Sequence, residues 1–379
     1  MSVVVTGIGL RCCLGSLKSS WGRLLKGETG IGLHQPYSMF PPLPMGLVAP
    51  KPTPLLNLTR SILQDTLDDS RLYGDLSECG VVVGSSRSFQ GVWEDLTAEL
   101  GGFIPLHPHP LEGWLLTLPY GVALEVARII GSQGVVAAPM SACVTGLWAI
   151  AQAVELIETG QCERVIAGAV ETPITPLTIA GFDRMGALAT TGCYPFDIDR
   201  EGLVLAEGGA LLVLESESAA AERGAEIYGQ VRGFSFTCDA SGVSAPSTNP
   251  SSAIRAIRQC LERSGLRYED IDYIHCHGTS TRLNDAREAG LIKDLFPDTV
   301  AVSSTKGATG HTLGASGVLG LVWSLLSLKE QILPPCVGLR NSAFELNILK
   351  NTTKTRVKNV LNFGFGFGGQ NAVIAVSKY

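Results

Sequence analysis

The sequence has 379 residues, of which 45% are hydrophobic and 17% are charged, with a net charge of −6 at pH 7. This length exceeds the ~250–300 residues at which a single core usually stops growing, so we expect two domains or two fused halves. The apolar content predicts a compact globular protein rather than a disordered one. The acidic balance, without a cluster of Lys and Arg, argues against general binding to nucleic acid.

Cysteine usage and the start of the chain favour a reducing compartment. The ten cysteines are scattered and form no CxxC pair, so a reducing cytoplasm is the simplest location. Residues 1–9 lack the basic region and cleavage site of a signal peptide and are typical of a strand. The apolar stretch 318–328 is too short to cross ~30 Å of hydrocarbon. We therefore expect a cytoplasmic protein without a membrane span.

Short β-branched runs alternate with segments of helical period along the chain. The predicted strands are, in chain order, 3–5, 80–83, 164–167, 210–214, 271–274 and 300–302. Apolar residues recur at helical spacing over 147–157 and 254–261. This alternation predicts an α/β layered fold.

Two further segments bear on domain organisation. Residues 35–54 are rich in proline and show no period, which predicts a surface excursion rather than core. An Ala- and Glu-rich stretch over 216–229 follows one predicted strand and precedes another. We place the boundary there, with halves at residues 1–217 and 226–379.

Cys143 ends an apolar segment and begins the predicted helix that runs to Gly160. Free backbone N–H groups and the helix dipole at such a position favour a thiolate and can hold an oxyanion, both of which covalent acyl transfer needs. An arbitrary free cysteine is more often an inert buried residue. The position makes reactivity possible without establishing it.

Two of the six histidines stand in segments suited to a site. His277 follows a predicted strand and begins a loop rich in glycine and hydroxyl groups, and His311 lies among glycines that let backbone pack closely around an imidazole. His275 and His277 share one face of a strand, but no further ligand follows at zinc spacing, so we predict no metal site. The other histidines show no recognisable chemistry, and they are His34, His107 and His109.

Together these segments resemble the elongating β-ketoacyl-[acyl-carrier-protein] synthases, which belong to the thiolase-like superfamily. The resemblance rests on motifs in the family's order and is weakest over residues 35–135. In chain order the motifs are VVVTGIG (3–9), the Cys143 segment, PFDIDREG (195–202), AEGG (206–209), the two histidine segments and GFGFGGQN (364–371).

The resemblance implies a five-layered αβαβα architecture of two similar halves, usually a homodimer. It also implies a triad of Cys143, His277 and His311. By analogy, Cys143 takes an acyl group from acyl carrier protein, and a malonyl thioester on the carrier then loses CO2 and attacks that acyl carbon. Neutral imidazoles can donate N–H bonds to the thioester oxygen and so stabilise the enolate. No redox cofactor or metal is expected.

Further roles are implied by the same resemblance. Lys306 and Glu288 would form a buried pair that holds the His311 loop, with an ordinary surface pair as the alternative. Thr279 and Thr281 would contact the pantetheine arm of the carrier. Phe365 would act as a gate whose backbone N–H joins that of Cys143 in an oxyanion hole. Phe367 lies in the same motif and is also expected to contact substrate.

Several departures from the family pattern concern substrate recognition. The usual basic cluster before the first long helix reads KPTPLLNLTR over residues 51–60, so the ordinary docking of the carrier is in doubt. Gly364 and Gly320 replace a common serine and a common glutamate. Trp148 and Phe182 are large enough to shorten an acyl pocket. Acyl chain length, donor and pathway, whether fatty acid, glycolipid or polyketide, stay open.

The sequence also bears on functions other than condensation. A partner subunit of a heterodimer that sets chain length usually loses the nucleophile, whereas Cys143 is retained. A thiolase normally uses a second cysteine as base, and residues 363–372 supply none. A decarboxylase without acyl transfer stays open. We therefore predict a 3-oxoacyl-[acyl-carrier-protein] synthase, an acyltransferase.

Overall fold

The computed structural model describes residues 2–99 and 114–379. Within these ranges the helices are α1 (Leu17–Leu25), α2 (Leu55–Ser70), α3 (Gln90–Glu99), α4 (Gly121–Ile130), α5 (Thr145–Glu158), α6 (Pro176–Arg184), α7 (Glu217–Glu222), α8 (Ser251–Ser264), α9 (Arg282–Leu295), α10 (Lys306–Thr309) and α11 (Ser316–Glu330). The strands are β1 (Val3–Cys12), β2 (Gly15–Ser16), β3 (Gly32–His34), β4 (Leu43–Met45), β5 (Gly80–Gly84), β6 (Val136–Ala137), β7 (Arg164–Glu171), β8 (Gly208–Ser216), β9 (Gly229–Cys238), β10 (Tyr273–His275), β11 (Ala301–Ser303), β12 (Ile332–Leu333), β13 (Thr353–Lys354), β14 (Asn359–Gly366) and β15 (Gln370–Ser377). His107 and His109 lie outside the described residues.

The strands form two sets that repeat one topology. An 11-stranded sheet runs in the order β11-β10-β14-β15-β9-β1-β8-β7-β5-β6, with β2 beside β1. β1 and β9 pair only over Val3–Val5 and Gly229–Val231, which marks the seam between the sets. β5 in the first set and β10 in the second are each flanked by two parallel partners, and the remaining pairs are antiparallel. The prediction of two similar halves is confirmed.

Side chains on opposite faces of the strands build separate hydrophobic clusters, which define the layers. Along β8, Leu212 and Leu214 face a central cluster with α5 and α11, whereas Leu211 and Val213 face an outer cluster with α2 and α4. In the second half, α8 and α9 cover the outer face of β14 and β15. The layers are therefore αβαβα, as the sequence resemblance implied.

The central layer consists of α5 and α11, which pack closely against each other. Residues 316–328 of α11 are all buried, as expected of a helix that is apolar on every side. A Cβ atom at Gly317 would lie only 2.5 Å from Cγ of Leu147, so glycine is needed where the helices meet. Because α5 begins just after Cys143 and α11 just after His311, this contact sets the distance between those two segments.

The segment 35–54 is partly core, so the prediction of a surface excursion is wrong for residues 44–47, which are buried. Met45 is buried, and Gly46 donates its N–H to the Leu205 carbonyl (3.0 Å). This bond satisfies backbone groups that would otherwise be buried without partners. The division of the chain at 1–217 and 226–379 stays a prediction. In the ranges the structure describes, we find no helix with the length and apolarity needed to cross a membrane.

Candidate active site

Cys143 lies in a 3₁₀ turn, Ala142–Val144, directly before α5. Ala142 adopts a left-handed backbone with φ of 46°. The Thr145 hydroxyl locks the turn, because it donates to the Ala142 carbonyl (2.8 Å) and accepts the Ser141 N–H (2.9 Å). The expected place of Cys143 at a helix start is therefore present, and its side chain is buried.

The electrostatic effect on Cys143 differs from the expectation of a stabilised thiolate. Burial raises the pKa of the Cys143 thiol, and the opposing hydrogen bond from the Phe367 backbone N–H and the charge of Lys306 do not offset it. The cost of placing a charge on a dry sulfur exceeds the benefit of the helix start. Without substrate, Cys143 is a neutral thiol.

His277 and His311 converge on this sulfur. One nitrogen of each ring and the Cys143 Sγ all lie within 4.8 Å of one another. The imidazole planes meet at 84° with their centroids 5.3 Å apart. His277 follows β10, and His311 is held by backbone bonds to Val204 (2.7 Å) and Ala206 (3.1 Å). The three residues that the sequence singled out form one cluster.

Hydrogen bonds orient both rings. His311 Nδ1 accepts the Leu313 N–H (3.1 Å) and lies 2.8 Å from the Ser316 hydroxyl, which leaves Nε2 to carry the proton. His277 Nδ1 lies 3.5 Å from the Lys306 ammonium, and its Nε2 is buried without a partner among the described residues. Each ring therefore has an Nε2–H group free to act as a donor.

Both imidazoles are held neutral. Burial lowers the pKa of His277 and of His311 well below the ordinary value, and the nearby charge of Lys306 lowers both further. A neutral ring can donate from Nε2 without bringing a charge into the dry site.

Lys306 and Glu288 are both buried, which excludes the surface pair, but the expected direct pairing is wrong. Lys306 donates to the His277 carbonyl oxygen, whereas Glu288 accepts the N–H groups of His277 (2.6 Å) and Gly278 (2.7 Å). Burial raises the pKa of Glu288 to about 7 and lowers that of Lys306. The two side chains hold the backbone of the His277 loop rather than each other.

The backbone N–H of Phe367 acts on the nucleophile, because it lowers the pKa of the Cys143 thiol. The gate and oxyanion roles expected of Phe365 stay a prediction. Phe365 lies within β14 opposite Asn371, and its ring packs 6.3 Å from the His277 ring. Because β14 ends at Gly366, the next residue begins a turn and can direct its N–H away from the sheet.

A cleft of about 290 Å³ opens onto the cluster. Its walls include Thr279, Thr281, Phe365 and Phe367, besides Cys143 and the two histidines. The hydroxyls of Thr279 and Thr281 lie 2.8 Å apart and face one another. All of the substrate-contacting positions predicted from sequence thus border one space.

The structure explains the glycine at position 320 and places the two large aromatic residues noted in the sequence. A Cβ at Gly320 would lie 2.7 Å from Nδ1 of the buried His275 and 2.8 Å from Oδ1 of Asn362, so no larger side chain fits there. Phe182 stacks on Phe367 with centroids 5.7 Å apart, whereas Trp148 stacks on Phe236. Phe182 is therefore the one placed to act through the Phe367 turn.

Sequence reasoning missed two groups that organise the site. Ser316 follows His311 by five residues and supports its ring, but a serine in a glycine-rich run gives no distinct signal. Asp239 accepts bonds from Arg287 (2.8 Å) and Asn371 (2.8 Å), and its own N–H donates to the Gly369 carbonyl (2.8 Å) beside the Phe367 turn. These partners are distant along the chain, so no local pattern could show them.

Comparison with known families covers most of the chain. The profile of the β-ketoacyl synthase N-terminal domain matches residues 54–220, and that of the C-terminal domain matches residues 228–340. The 3-oxoacyl-[acyl-carrier-protein] synthase 2 of Synechocystis sp. is 32% identical over 411 residues, which span 100% of this chain and 98% of the relative.

Solved structures agree over the same length. A type II polyketide ketosynthase in complex with its acyl-carrier protein has a TM-score of 0.93 at 25% identity, covering 100% of this chain and 99% of that one. A β-ketoacyl synthase from Burkholderia phymatum STM815 has a TM-score of 0.90 at 26% identity, with coverage of 100% and 99%.

Proposed function

The chain belongs to the β-ketoacyl synthase family, and on that premise we propose that it catalyses a decarboxylative Claisen condensation. An acyl group bound to Cys143 would react with a malonyl thioester on acyl carrier protein to give a 3-oxoacyl thioester and CO2. The observation that carries the proposal is the meeting of Cys143 Sγ with a nitrogen of both His277 and His311 within 4.8 Å at the base of one cleft.

In the first half-reaction the Cys143 sulfur attacks the carbonyl carbon of the acyl donor. The Cys143 proton passes to the departing carrier thiol, so the protein gains a thioester and the carrier leaves as a thiol. The N–H groups of Cys143 and Phe367 would stabilise the oxyanion of the intermediate. The support for this role is that the Phe367 N–H lowers the pKa of the Cys143 thiol, as a donor directed at the sulfur does.

In the second half-reaction the malonyl thioester replaces the first carrier, with its pantetheine arm beside Thr279 and Thr281. His277 and His311 would donate from Nε2 to the thioester oxygen. The bond to the carboxylate then breaks, CO2 leaves, and the electron pair forms an enolate that attacks the acyl carbon on Cys143. The Cys143 thiolate is expelled and takes up one proton from solvent, which completes the cycle. No metal or redox cofactor takes part in this sequence.

Lys306 and Glu288 would act as positioning residues. Their bonds fix the backbone at His277, and the Lys306 charge opposes protonation of both rings. A partner subunit that only sets chain length needs neither a fixed His277 backbone nor neutral histidine rings. The intact cluster therefore favours catalysis over that alternative.

The direct test is a condensation assay with acyl and malonyl carrier thioesters, with product and CO2 measured together. We expect 3-oxoacyl product from the wild type and none from Cys143→Ala. His277→Ala and His311→Ala should impair condensation by roughly 10²-fold or more, in line with the loss of a proton-donating group, and acylation much less. Equal loss in both half-reactions would refute this division of roles.

The proposal extends to partners and location. Acyl carrier protein is the proposed carrier, since the chain resembles a ketosynthase solved with one. We also propose a homodimer and a cytoplasmic location, the latter because all ten cysteines are free thiols. The product would enter fatty-acid, glycolipid or polyketide synthesis.

A further inference from the structure

Behind the site lies a third buried histidine, His275, which the proposed reaction sequence does not use. It ends β10, two residues before His277, and is not among the described residues that border the cleft. Burial, together with the charge of Lys306, lowers the pKa of His275 to about 3, so the ring is neutral. A neutral imidazole offers one donor nitrogen and one acceptor nitrogen.

The Thr305 hydroxyl decides which nitrogen of His275 carries the proton. Nε2 of the ring lies 3.1 Å from this hydroxyl, and both groups are buried. Among the described residues the hydroxyl proton has no other acceptor within hydrogen-bond distance, so Thr305 donates to Nε2. The proton of the His275 ring therefore resides on Nδ1.

Nδ1 of His275 and Oδ1 of Asn362 face the same point beside Gly320. The two residues lie opposite each other in the parallel pairing of β10 with β14. A Cβ atom at Gly320 would lie 2.7 Å from Nδ1 and 2.8 Å from Oδ1, and neither atom has a hydrogen-bond partner in the part of the chain that the structure describes. The Asn362 side chain also opposes the lowering of the His275 pKa, as an acceptor does. A hydrogen bond from Nδ1 to Oδ1 satisfies both atoms and avoids the cost of burying them unpaired.

At one end this series of groups meets the Lys306 segment. Thr305 directly precedes Lys306 at the start of α10. The Thr305 carbonyl accepts the N–H groups of Ala308 (2.9 Å) and Thr309 (3.1 Å), so this residue anchors the short helix. The Lys306 ammonium in turn donates to the His277 carbonyl oxygen. A bond to the Thr305 hydroxyl therefore acts on the segment that fixes the His277 backbone.

At the other end the series meets the first turn of α11. Asn362 Nδ2 donates to the Gly317 carbonyl (2.8 Å). Gly317 follows Ser316, whose hydroxyl lies 2.8 Å from Nδ1 of His311. The same asparagine therefore acts on the segment that supports the His311 ring.

We propose that His275 is a positioning residue, which joins Thr305 to Asn362 and so fixes the two catalytic histidines relative to each other. The inference deepens the proposed function and rests on it, because in that function both rings donate to one thioester oxygen. His275 itself touches no substrate and acts through its two hydrogen-bond partners. A core histidine without this role would contribute to folding stability alone.

Two substitutions separate the two bonds. His275→Asn keeps a donor near the Nδ1 position and loses the acceptor for Thr305. His275→Gln places an amide oxygen near the Nε2 position and loses the donor to Asn362. We expect each variant to slow single-turnover decarboxylation by roughly five- to tenfold, as the loss of one hydrogen bond gives, and to slow acylation of Cys143 by less than about twofold. Loss of both half-reactions by the same factor would overturn the inference, since it indicates a role in stability alone.

Thr305→Val tests whether His275 and Thr305 act together. The valine removes the hydroxyl at a nearly unchanged shape, so decarboxylation should slow by a similar factor in the wild type. In His275→Asn it should cause no further loss, because that variant already lacks the bond. Equal slowing by Thr305→Val in both backgrounds would contradict the coupling. Thr59→Val is the matched control, since this buried hydroxyl bonds to the Leu55 carbonyl within α2, and should leave both rates unchanged.

Long-range 1H–15N spectra of the full chain labelled with 15N-histidine read the His275 tautomer without turnover. The His275 signals are assigned by their absence from His275→Asn, or from His275→Gln where the first variant does not fold. We expect a neutral ring with its proton on Nδ1 at neutral pH. A proton on Nε2 alone, or on both nitrogens, would overturn the inference. This result is read equally well if the condensation assay yields no product, so the two failures are distinguishable.

Discussion

Burial acts in opposite directions on the reacting groups of this site. It raises the pKa of the Cys143 thiol, so that the thiolate is scarce, and it lowers the pKa of His277 and His311, so that both rings stay neutral. The same dry environment therefore lowers the fraction of reactive thiolate at Cys143 and keeps the two histidine rings in the neutral form that donates hydrogen bonds.

This contrast predicts different pH profiles for the two half-reactions. Acylation should accelerate from pH 7 to pH 9, because a raised thiol pKa lies above that window and each step in pH increases the thiolate fraction. The rate of decarboxylation of the malonyl donor should stay constant as the pH falls past about 6.5, the ordinary pKa of histidine. The lowered pKa values leave both rings neutral at that pH. Single-turnover rates for each half-reaction would check this. A decarboxylation midpoint near the ordinary value, or acylation that levels off by neutral pH, would contradict it.

Ser316 offers a test of how the His311 ring is oriented. Ser316→Ala removes the hydroxyl next to Nδ1 but keeps the Leu313 N–H bond, so decarboxylation should slow by roughly five- to tenfold, equivalent to about 1 kcal/mol. Ser324→Ala is the matched control, because among the described residues its hydroxyl bonds only to the Gly320 carbonyl of the same helix. Equal decarboxylation rates in the two variants would show that the Ser316 hydroxyl does not orient the His311 ring.

At this scale the sequence indicated which residues meet but not how they are bonded. The motifs of Cys143, His277 and His311 were sufficient to predict one cluster. The oxyanion role expected of Phe365 stays a prediction, because the choice between neighbouring aromatic residues depends on where β14 ends. The prediction that Lys306 and Glu288 pair directly is wrong, because both side chains bond to backbone groups of the His277 loop. A pattern of side chains in the sequence does not reveal such bonds.

Among the helices, the contact of α5 with α11 is the one on which the site geometry depends. Gly317→Ala would place a methyl group 2.5 Å from Leu147, so the helices must separate. We expect a loss of about 1–3 kcal/mol in the free energy of unfolding, measured by urea denaturation, together with slower acylation.

Gly290→Ala in α9 is the control for this substitution. Its added Cβ meets no atom within 4 Å, so the protein should gain about 0.5–1 kcal/mol from a better helix former. A Gly317→Ala variant as stable as the wild type would show that the helices do not need this close approach.

Strands and helices were largely readable because buried β-branched runs and helical periods are local signals. The prolines of residues 35–54 predict a surface loop. Met45 and Gly46 are nevertheless buried, because they contact the distant residue Leu205 and its neighbours. Contacts between segments far apart in sequence leave no periodic mark.

For the whole molecule, the open edge of the sheet supports the proposed homodimer. β6 pairs only with β5 among the described residues, and Val136 (43%) and Met140 (63%) are exposed beside that edge. An apolar unpaired edge favours association with a second chain.

Val136→Asp should therefore shift the protein from dimer towards monomer in analytical ultracentrifugation, because an unpaired carboxylate is costly in a buried interface. Val243→Asp is the control, at a valine that is 85% exposed far along the chain, and should leave the mass unchanged. A wild type that sediments as a monomer, or a Val136→Asp dimer as stable as the wild type, would contradict the homodimer.

The two-half architecture followed from the family resemblance, and the repeated strand order confirmed it. The central claim about function is narrower, namely that Cys143 carries the acyl group. Intact-protein mass spectrometry after incubation with acyl-carrier or acyl-CoA donors tests it most directly. We predict one added acyl mass on the wild type, located at Cys143 by peptide mapping, and none on Cys143→Ala. A wild type that no donor acylates, or an adduct that persists in Cys143→Ala, would contradict it.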